Sequence, residues 1–241
     1  MNKKRLNRFI SKYYLNGTVN SVVLNSKSNS QQLSTRFISG DKSLLGELVM
    51  DKWSFEDSDI GIYNTEQLTK LLDVVDDDIN ITLTKSGEKS IALKISDSSS
   101  SVNYMLTDTS VINEPPTLKS IPEFELNIDV TPQFINKFIA GKGALGETDN
   151  FTVITDGSNV KVVIGHSSVN TNRVTIPVTT TKVGDIDNVS FNANIFKEVL
   201  SANKECESAT LEISSQGLAK INFKVDDFTS TYWLVGTSEQ D

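Results

Sequence analysis

Three observations predict an α+β chain built from two similar domains, each with two helices packed on antiparallel sheets. The first is an internal echo. Tyr63-Asn64, followed by Leu68, Leu71 and Leu72, returns as Phe191-Asn192, followed by Phe196, Val199 and Leu200. The second is an earlier echo, in which Phe9, Ile10, Lys12, Tyr13 and Tyr14 match Phe134, Ile135, Lys137, Phe138 and Ile139. Both pairs lie about 125–130 residues apart, too far for a solenoid repeat and right for a duplicated domain. The third is the order of hydrophobic periods: helix, short alternating segments, helix, alternating segments, twice over. The 241 residues divide into a first domain at 1–110, a connector at 111–122 and a second domain at 123–241.

The spacing of Leu6, Phe9, Ile10, Tyr13 and Tyr14 predicts a first helix over 2–15, stopped by Asn16-Gly17. Strands follow at 19–24, 32–38, 45–49 and 58–63, separated by Ser, Asn and Gly turns. A second helix starts at a cap on Asn64 or Thr65, runs to Val75 and leaves through Asp76-Asp77-Asp78. Segments 79–84 and 90–95 alternate around Ser86-Gly87 as a hairpin, and 102–106 closes the first domain. Residues 107–122 have no period, hold Pro115, Pro116 and Pro122, and form an extended connector. In the second domain a strand at 123–130 leads to a helix capped by Thr131, with Pro132 in its first turn. Strands at 151–155, 160–164, 173–178 and 189–191 come before a fourth helix over 193–202. Strands at 209–213, 219–225 and 231–235 complete the set.

A net charge of −8 argues against coating nucleic acid by bulk attraction, but allows a local basic surface. The single cysteine, Cys206, forms no internal disulfide and suits a reducing compartment. No apolar run is long enough to span a bilayer, so no membrane partner is expected. His166 is the only histidine, so no triad with a cysteine and no multi-His/Cys metal site assembles within the chain. The expectation is a protein that is not an enzyme and uses no cofactor or metal. Gly141-Lys142-Gly143-Ala144-Leu145-Gly146 matches a dinucleotide-binding pattern formally. It follows a helix where that pattern needs a strand, so it reads as a helix stop and loop.

The polar faces of the helices carry cations. At about 100° per residue, Lys4, Arg5, Arg8 and Lys12 fall opposite the first helix's apolar stripe, with no acid among them. Lys70 lies opposite Leu68, Leu71 and Leu72. Lys137 projects away from Phe134 and Phe138, with Lys142 shortly after, and Lys197 and Lys204 oppose Ile195 and Val199. Lysines on one solvated helix face are ordinary. The recurrence on all four helices of an acidic chain is the signal, although Glu66, Asp73 and Glu198 dilute the second and fourth.

This order of elements, repeated across a proline-containing connector, resembles the DNA sliding clamps. The stretch from Phe55 through Asp59-Ile60-Gly61-Ile62-Tyr63-Asn64, then a helix leaving through Val74-Val75 and three aspartates, is most similar to the processivity clamps of T-even-type bacteriophages. The resemblance implies a DNA-clamp fold and a homotrimer whose six domains form a ring, helices inside and sheets outside. Lys4, Arg5, Arg8, Lys12, Lys70, Lys137, Lys142, Lys197 and Lys204 would then face double-stranded DNA, touching phosphates without reading sequence. It implies subunit contact between one copy's edge strand with Val102, Tyr104 and Leu106 and a neighbour's strand with Val174, Ile176 and Val178. Pro177 removes one donor there and suits a ring that opens readily. Partner peptides would dock on Val111, Ile112, Pro115, Leu118 and Ile121, although packing down the connector accounts for these residues equally well. The implied partners are the replicative DNA polymerase and a clamp-loader ATPase, with late transcription as a second use, in the cytoplasm of an infected bacterial host.

Two other readings fit parts of the same sequence. A β-rich virion or assembly protein also tolerates duplication and acidity. A single-strand binder would need exposed aromatics for base stacking, whereas Phe9, Tyr13, Phe134 and Phe138 sit on apolar faces.

Overall fold

The computed structural model describes residues 1–87, 89–157, 159–169, 171–184 and 186–237. The chain separates into two compact units, residues 1–38 with 47–115, and 39–46 with 116 onward. No helix among the described residues is long and apolar enough to cross a membrane.

Unit 1 begins with α1 (Lys3–Tyr14), capped by the Asn2 side chain, which accepts from the Arg5 N–H at 3.2 Å. Strands β1 (Val22–Lys27) and β2 (Gln32–Ile38) alternate in burial, β3 (Leu44–Met50) and β4 (Ser58–Ile62) each hold a run of three buried residues, and β1 pairs antiparallel with both β2 and β4. Helix α2 (Thr65–Leu72) follows, its Asn64 cap accepting from the Gln67 N–H at 2.9 Å. Strands β5 (Asn80–Ser86), β6 (Lys89–Ser96) and β7 (Ser101–Met105) form a separate antiparallel sheet in that order. The hairpin between β5 and β6 turns at Gly87, where a φ of +63° suits a residue without Cβ.

The core of unit 1 is the apolar stripe of α1 driven into sheet side chains. Leu6, Phe9, Ile10 and Tyr13 are all buried, and the Tyr13 ring lies 6.0 Å from Phe9 and 6.3 Å from Phe37. The Tyr13 hydroxyl meets the Thr65 hydroxyl at 3.3 Å, and Thr65 donates to the Asn20 carbonyl at 2.8 Å. A buried phenol is thereby satisfied and fixes α1 against the start of α2.

Unit 2 repeats the plan. Strand β8 (Leu126–Val130) leads into α3 (Pro132–Ala144), with Thr131 as cap and Pro132 in the first turn. Strands β9 (Asn150–Asp156), β10 (Asn159–Ile164) and β11 (Val174–Val178) come next, then β12 (Thr180–Lys182) and β13 (Val189–Asn192). Helix α4 (Ala193–Ala202) precedes β14 (Ala209–Ser214), β15 (Leu218–Val225) and β16 (Phe228–Val235). One sheet runs β11-β10-β9-β13; in the other, β12-β8-β14-β15-β16 are neighbours in that order. Phe138 centres the core, 5.2 Å from Phe151 and 4.9 Å from Phe196.

The echoes in sequence are echoes in packing. Phe9 and Phe134, Ile10 and Ile135, and Tyr13 and Phe138 are buried in their respective units. Asn64 and Asn192 both cap helices, Asn192 accepting from the Ile195 N–H at 3.0 Å. One pair diverges: Phe191 is fully buried whereas Tyr63 is 65 % exposed. The first strand begins at Val22, later than the pattern predicts, because residues 15–17 add a 3-10 turn after α1. Strand β12 has no counterpart in the sequence reading; three residues with a register shift give no period to detect. The glycine run holds the helix stop, but late: α3 continues through Gly141 and Gly143 to Ala144 and is capped at Leu145.

Candidate nucleic-acid interface and strand edges

The helix cations separate into exposed and buried groups. Lys4, Lys70, Lys137 and Lys204, the last of them in the turn beyond the end of α4, are exposed, and Arg5, Arg8 and Lys197 are half-buried. Lys12 and Lys142 are buried, which corrects their placement on outward faces. Helix geometry explains both. Lys12 stands seven residues after Arg5 and shares its flank, where the Arg5 guanidinium donates to the carbonyls of Asp51 and, at 2.8 Å, Lys52. Lys142 follows Phe138 by four residues and Ile135 by seven, inside the apolar stripe. Its ammonium curls to the end of α3 and donates to the carbonyls of Leu145 at 3.3 Å and Gly146 at 2.9 Å. Such carbonyls lack intrahelical donors, and a cation completes them.

Several remaining cations hold the fold as well as face solvent. Lys3 donates to the Val75 carbonyl, and Lys4 pairs with Asp77 at 2.6 Å, so the start of α1 is tied to the loop after α2. Lys70 pairs with Glu66 one turn earlier at 2.5 Å, and Lys197 with Glu198 at 3.2 Å. Lys137 and Lys204 have no carboxylate within ion-pair distance among the described residues. Repeat-equivalent positions therefore carry different roles, Lys12 inside and Lys137 outside. Sequence reasoning passed over Asp77 as a partner because it lies 73 residues from Lys4 and only the fold joins them.

The predicted edge strands do lie at sheet edges. Strand β7 ends its three-stranded sheet and β11 ends its four-stranded sheet. Leu106 N–H donates to the Ile91 carbonyl at 3.0 Å. Antiparallel alternation then turns the backbone groups of Val102 and Tyr104 toward β6, and those of Ser101, Asn103 and Met105 toward the open side. In β11, Pro177 stands opposite Lys161. A proline has no N–H for the ladder, so Pro177 and Thr175 face outward.

Side chains at these edges serve the interior. Val102, Tyr104 and Ile176 are buried, while Leu106, Val174 and Val178 are half-buried. The Tyr104 hydroxyl accepts from the Asn64 N–H at 2.9 Å and donates to the Asn64 carbonyl at 3.1 Å, holding the start of α2. Val174 supports α3 where the helix has no side chain: a Cβ on Gly141 would lie 2.9 Å from the Val174 Cγ1. The edge β11 is thus set by the helix beneath it.

Other strand ends are closed. Thr107 N–H covers β4 through the Gly61 carbonyl at 3.1 Å, and Thr237 N–H covers β13 through Ser190 at 2.8 Å. Strand β5 has a bulge between Thr84 and Lys85, and β12 is three residues long with a register shift. Bulges and short strands are ordinary ways to blunt an edge. Strands β7 and β11 have neither.

In the connector, Asp108 starts a 3-10 turn over Thr109–Val111 by accepting from the Ser110 N–H at 3.0 Å. Val111 and Ile121 are exposed, Pro115 and Leu118 half-buried, and Ile112 buried. Ile112 packs inward, which removes it from a docking surface in this conformation.

No protein-family model and no curated protein matches the sequence. Solved structures do match. The proliferating cellular nuclear antigen of Entamoeba histolytica superposes with a TM-score of 0.74 at 15 % identity, over 99 % of this chain and 97 % of that one. The PCNA2–PCNA3 complex from Sulfolobus tokodaii gives a TM-score of 0.74 at 14 % identity, over 99 % and 98 % of the two chains. The chain therefore has the α+β DNA-clamp fold of two similar domains.

Proposed function

We propose that this protein is a sliding clamp. Three copies close into a six-domain ring around duplex DNA and tether the replicative polymerase, after loading by an ATP-driven clamp loader in a phage-infected bacterium. Late transcription is a second use of the same ring. The observation that carries the reading is the fold likeness to proliferating cellular nuclear antigen over 99 % of the chain at a TM-score of 0.74.

Two features of the chain support it. Strand β7 is an open edge and β11 an open edge interrupted by Pro177, and an unpaired edge is a template for another strand. The ring pairs β7 of one copy with β11 of the next, through the outward groups of residues 101, 103 and 105. Exposed Lys4, Lys70, Lys137 and Lys204, with half-buried Arg5, Arg8 and Lys197, supply contacts to phosphates that carry no sequence information. Lys12 and Lys142 are excluded by burial. Val111, Pro115, Leu118 and Ile121 are the remaining candidates for a partner peptide.

The test is oligomeric mass by light scattering, together with retention on DNA after loading. A trimer that stays on closed circles and leaves when they are cut is expected. A monomer at micromolar concentration that is released equally from circles and linear DNA overturns the reading. The double variant Lys137→Glu, Lys204→Glu should keep the trimer and the thermal midpoint while lowering processive synthesis by about tenfold. Unchanged synthesis would remove these two lysines from the DNA-facing surface.

A further inference from the structure

Three helix lysines are already held by carboxylates, through three different spacings. Lys70 and Glu66 are one turn apart on α2, at 2.5 Å. Lys197 and Glu198 are adjacent on α4, at 3.2 Å. Lys4 of α1 reaches Asp77 beyond α2, at 2.6 Å. Only the first spacing is one that stabilises an isolated helix; neighbours in sequence do not face each other along a helix. A helix-forming device therefore accounts for one pair of the three. All three leave a lysine accessible with an acid beside it: the lysine side chains are 74 %, 66 % and 35 % exposed for Lys4, Lys70 and Lys197. The hydrogen bond and charge of Asp77 hold the Lys4 ammonium above its ordinary pKa, and Glu66 does the same for Lys70.

We propose that Asp77, Glu66 and Glu198 are built-in counter-ions that compete with DNA phosphates for the helix lysines. The inference rests on the sliding-clamp reading and adds to it how weakly the ring grips its track. A lysine in water gains from a phosphate by releasing the ions condensed on DNA. A lysine already paired must give up a carboxylate for the same gain, so each contact is weakened. An exposed pair changes a contact by only about twofold. Nine such pairs in a three-subunit ring compound to a large factor, and attachment then depends on closure of the ring more than on charge. Lys137 and Lys204 keep enough positive potential to centre the duplex.

The experiment compares two intact triple variants with the same change in net charge. One is Asp77→Asn, Glu66→Gln, Glu198→Gln. The control is Glu56→Gln, Glu123→Gln, Glu212→Gln, which removes acids paired with Lys85, Lys182 and Lys220 away from the helices. The probe is a short fluorescent linear duplex without loader, titrated over a range of salt, with retention on circular DNA measured in parallel. The helix variant should bind linear duplex at least about tenfold tighter than wild type, with a salt slope steeper by about 0.9 per recovered phosphate contact. The control should gain much less. Equal gains in both variants, or none in the helix variant, overturn the proposal while wild-type retention on circles leaves the clamp reading standing. Loss of wild-type retention overturns the clamp reading itself. Thermal melts check folding, and the single variant Glu198→Gln, expected to gain about eightfold from about twofold at each of its three copies in the ring, carries the test if the triple variant unfolds.

Discussion

Lys142 and Lys137 stand five residues apart on one helix, and their surroundings assign them opposite work. The Lys142 stem occupies the apolar stripe and its ammonium completes the carbonyls of Leu145 and Gly146. Lys142→Met keeps the stem and loses the charged hydrogen bonds, so urea unfolding should show a loss of about 1–3 kcal/mol. Lys137→Met on the exposed face should change stability by less than about 0.5 kcal/mol. Composition alone could not separate the two. The separation was in the sequence, at the four-residue step from Phe138, and it needed the stripe to be centred before the lysines were placed.

Asp108 gives a pH dependence at the same scale. The Ser110 N–H and hydroxyl, then Lys89, hold its carboxyl down to about 2 from an ordinary 3.8. A depressed folded-state value means that folding binds the ionised form more tightly. The resulting stability is complete above the unfolded pKa of about 4 and is lost as pH falls through about 2. The urea midpoint of wild type minus that of Asp108→Asn should be constant from pH 7 to 5 and shrink between about 4 and 2. A difference that stays level down to pH 2 would show that the turn at Thr109–Val111 does not depend on this charge.

At the scale of elements, helices were the most legible part of the sequence. Stripes such as Leu6, Phe9, Ile10 and Tyr13 repeat at helical spacing and are buried as expected. Caps were legible in part: Asn64 and Thr131 are residue types whose side chains satisfy first-turn donors, whereas the caps Asn2 and Asn192 were not singled out. Asn64→Ala and Asn192→Ala should each cost about 1 kcal/mol, and the two costs should add, because the caps lie in separate units. Chemical denaturation of the single and double variants measures this. Strand borders were less legible, since a register such as Thr180 to Ile128 is imposed by neighbours from distant sequence. The role of Gly141 was invisible for the same reason: the glycine answers to Val174, on a strand far along the chain.

For the whole molecule, the duplication predicts two units, and the proposed ring would join copies of the chain at the edges β7 and β11. The two edges are unequal. Strand β7 presents the N–H and C=O groups of Ser101, Asn103 and Met105, whereas β11 presents Thr175 in full and only the carbonyl of Pro177. A ring closed by such a ladder has few bonds to break at each joint, and one further lost donor should open it. Asn103→Pro removes an outward donor from β7 at a position that makes no ladder bond to β6, so the subunit itself should keep its fold. The variant is expected to sediment as a monomer at concentrations where wild type is a trimer, with a thermal midpoint lowered only by the loss of assembly. Pro177→Val should act in the opposite direction by restoring a donor to β11, with trimer persisting to lower concentration. A trimer unaffected by both substitutions would place the subunit contact away from these edges, and the basic helix faces would then need a different ring around them.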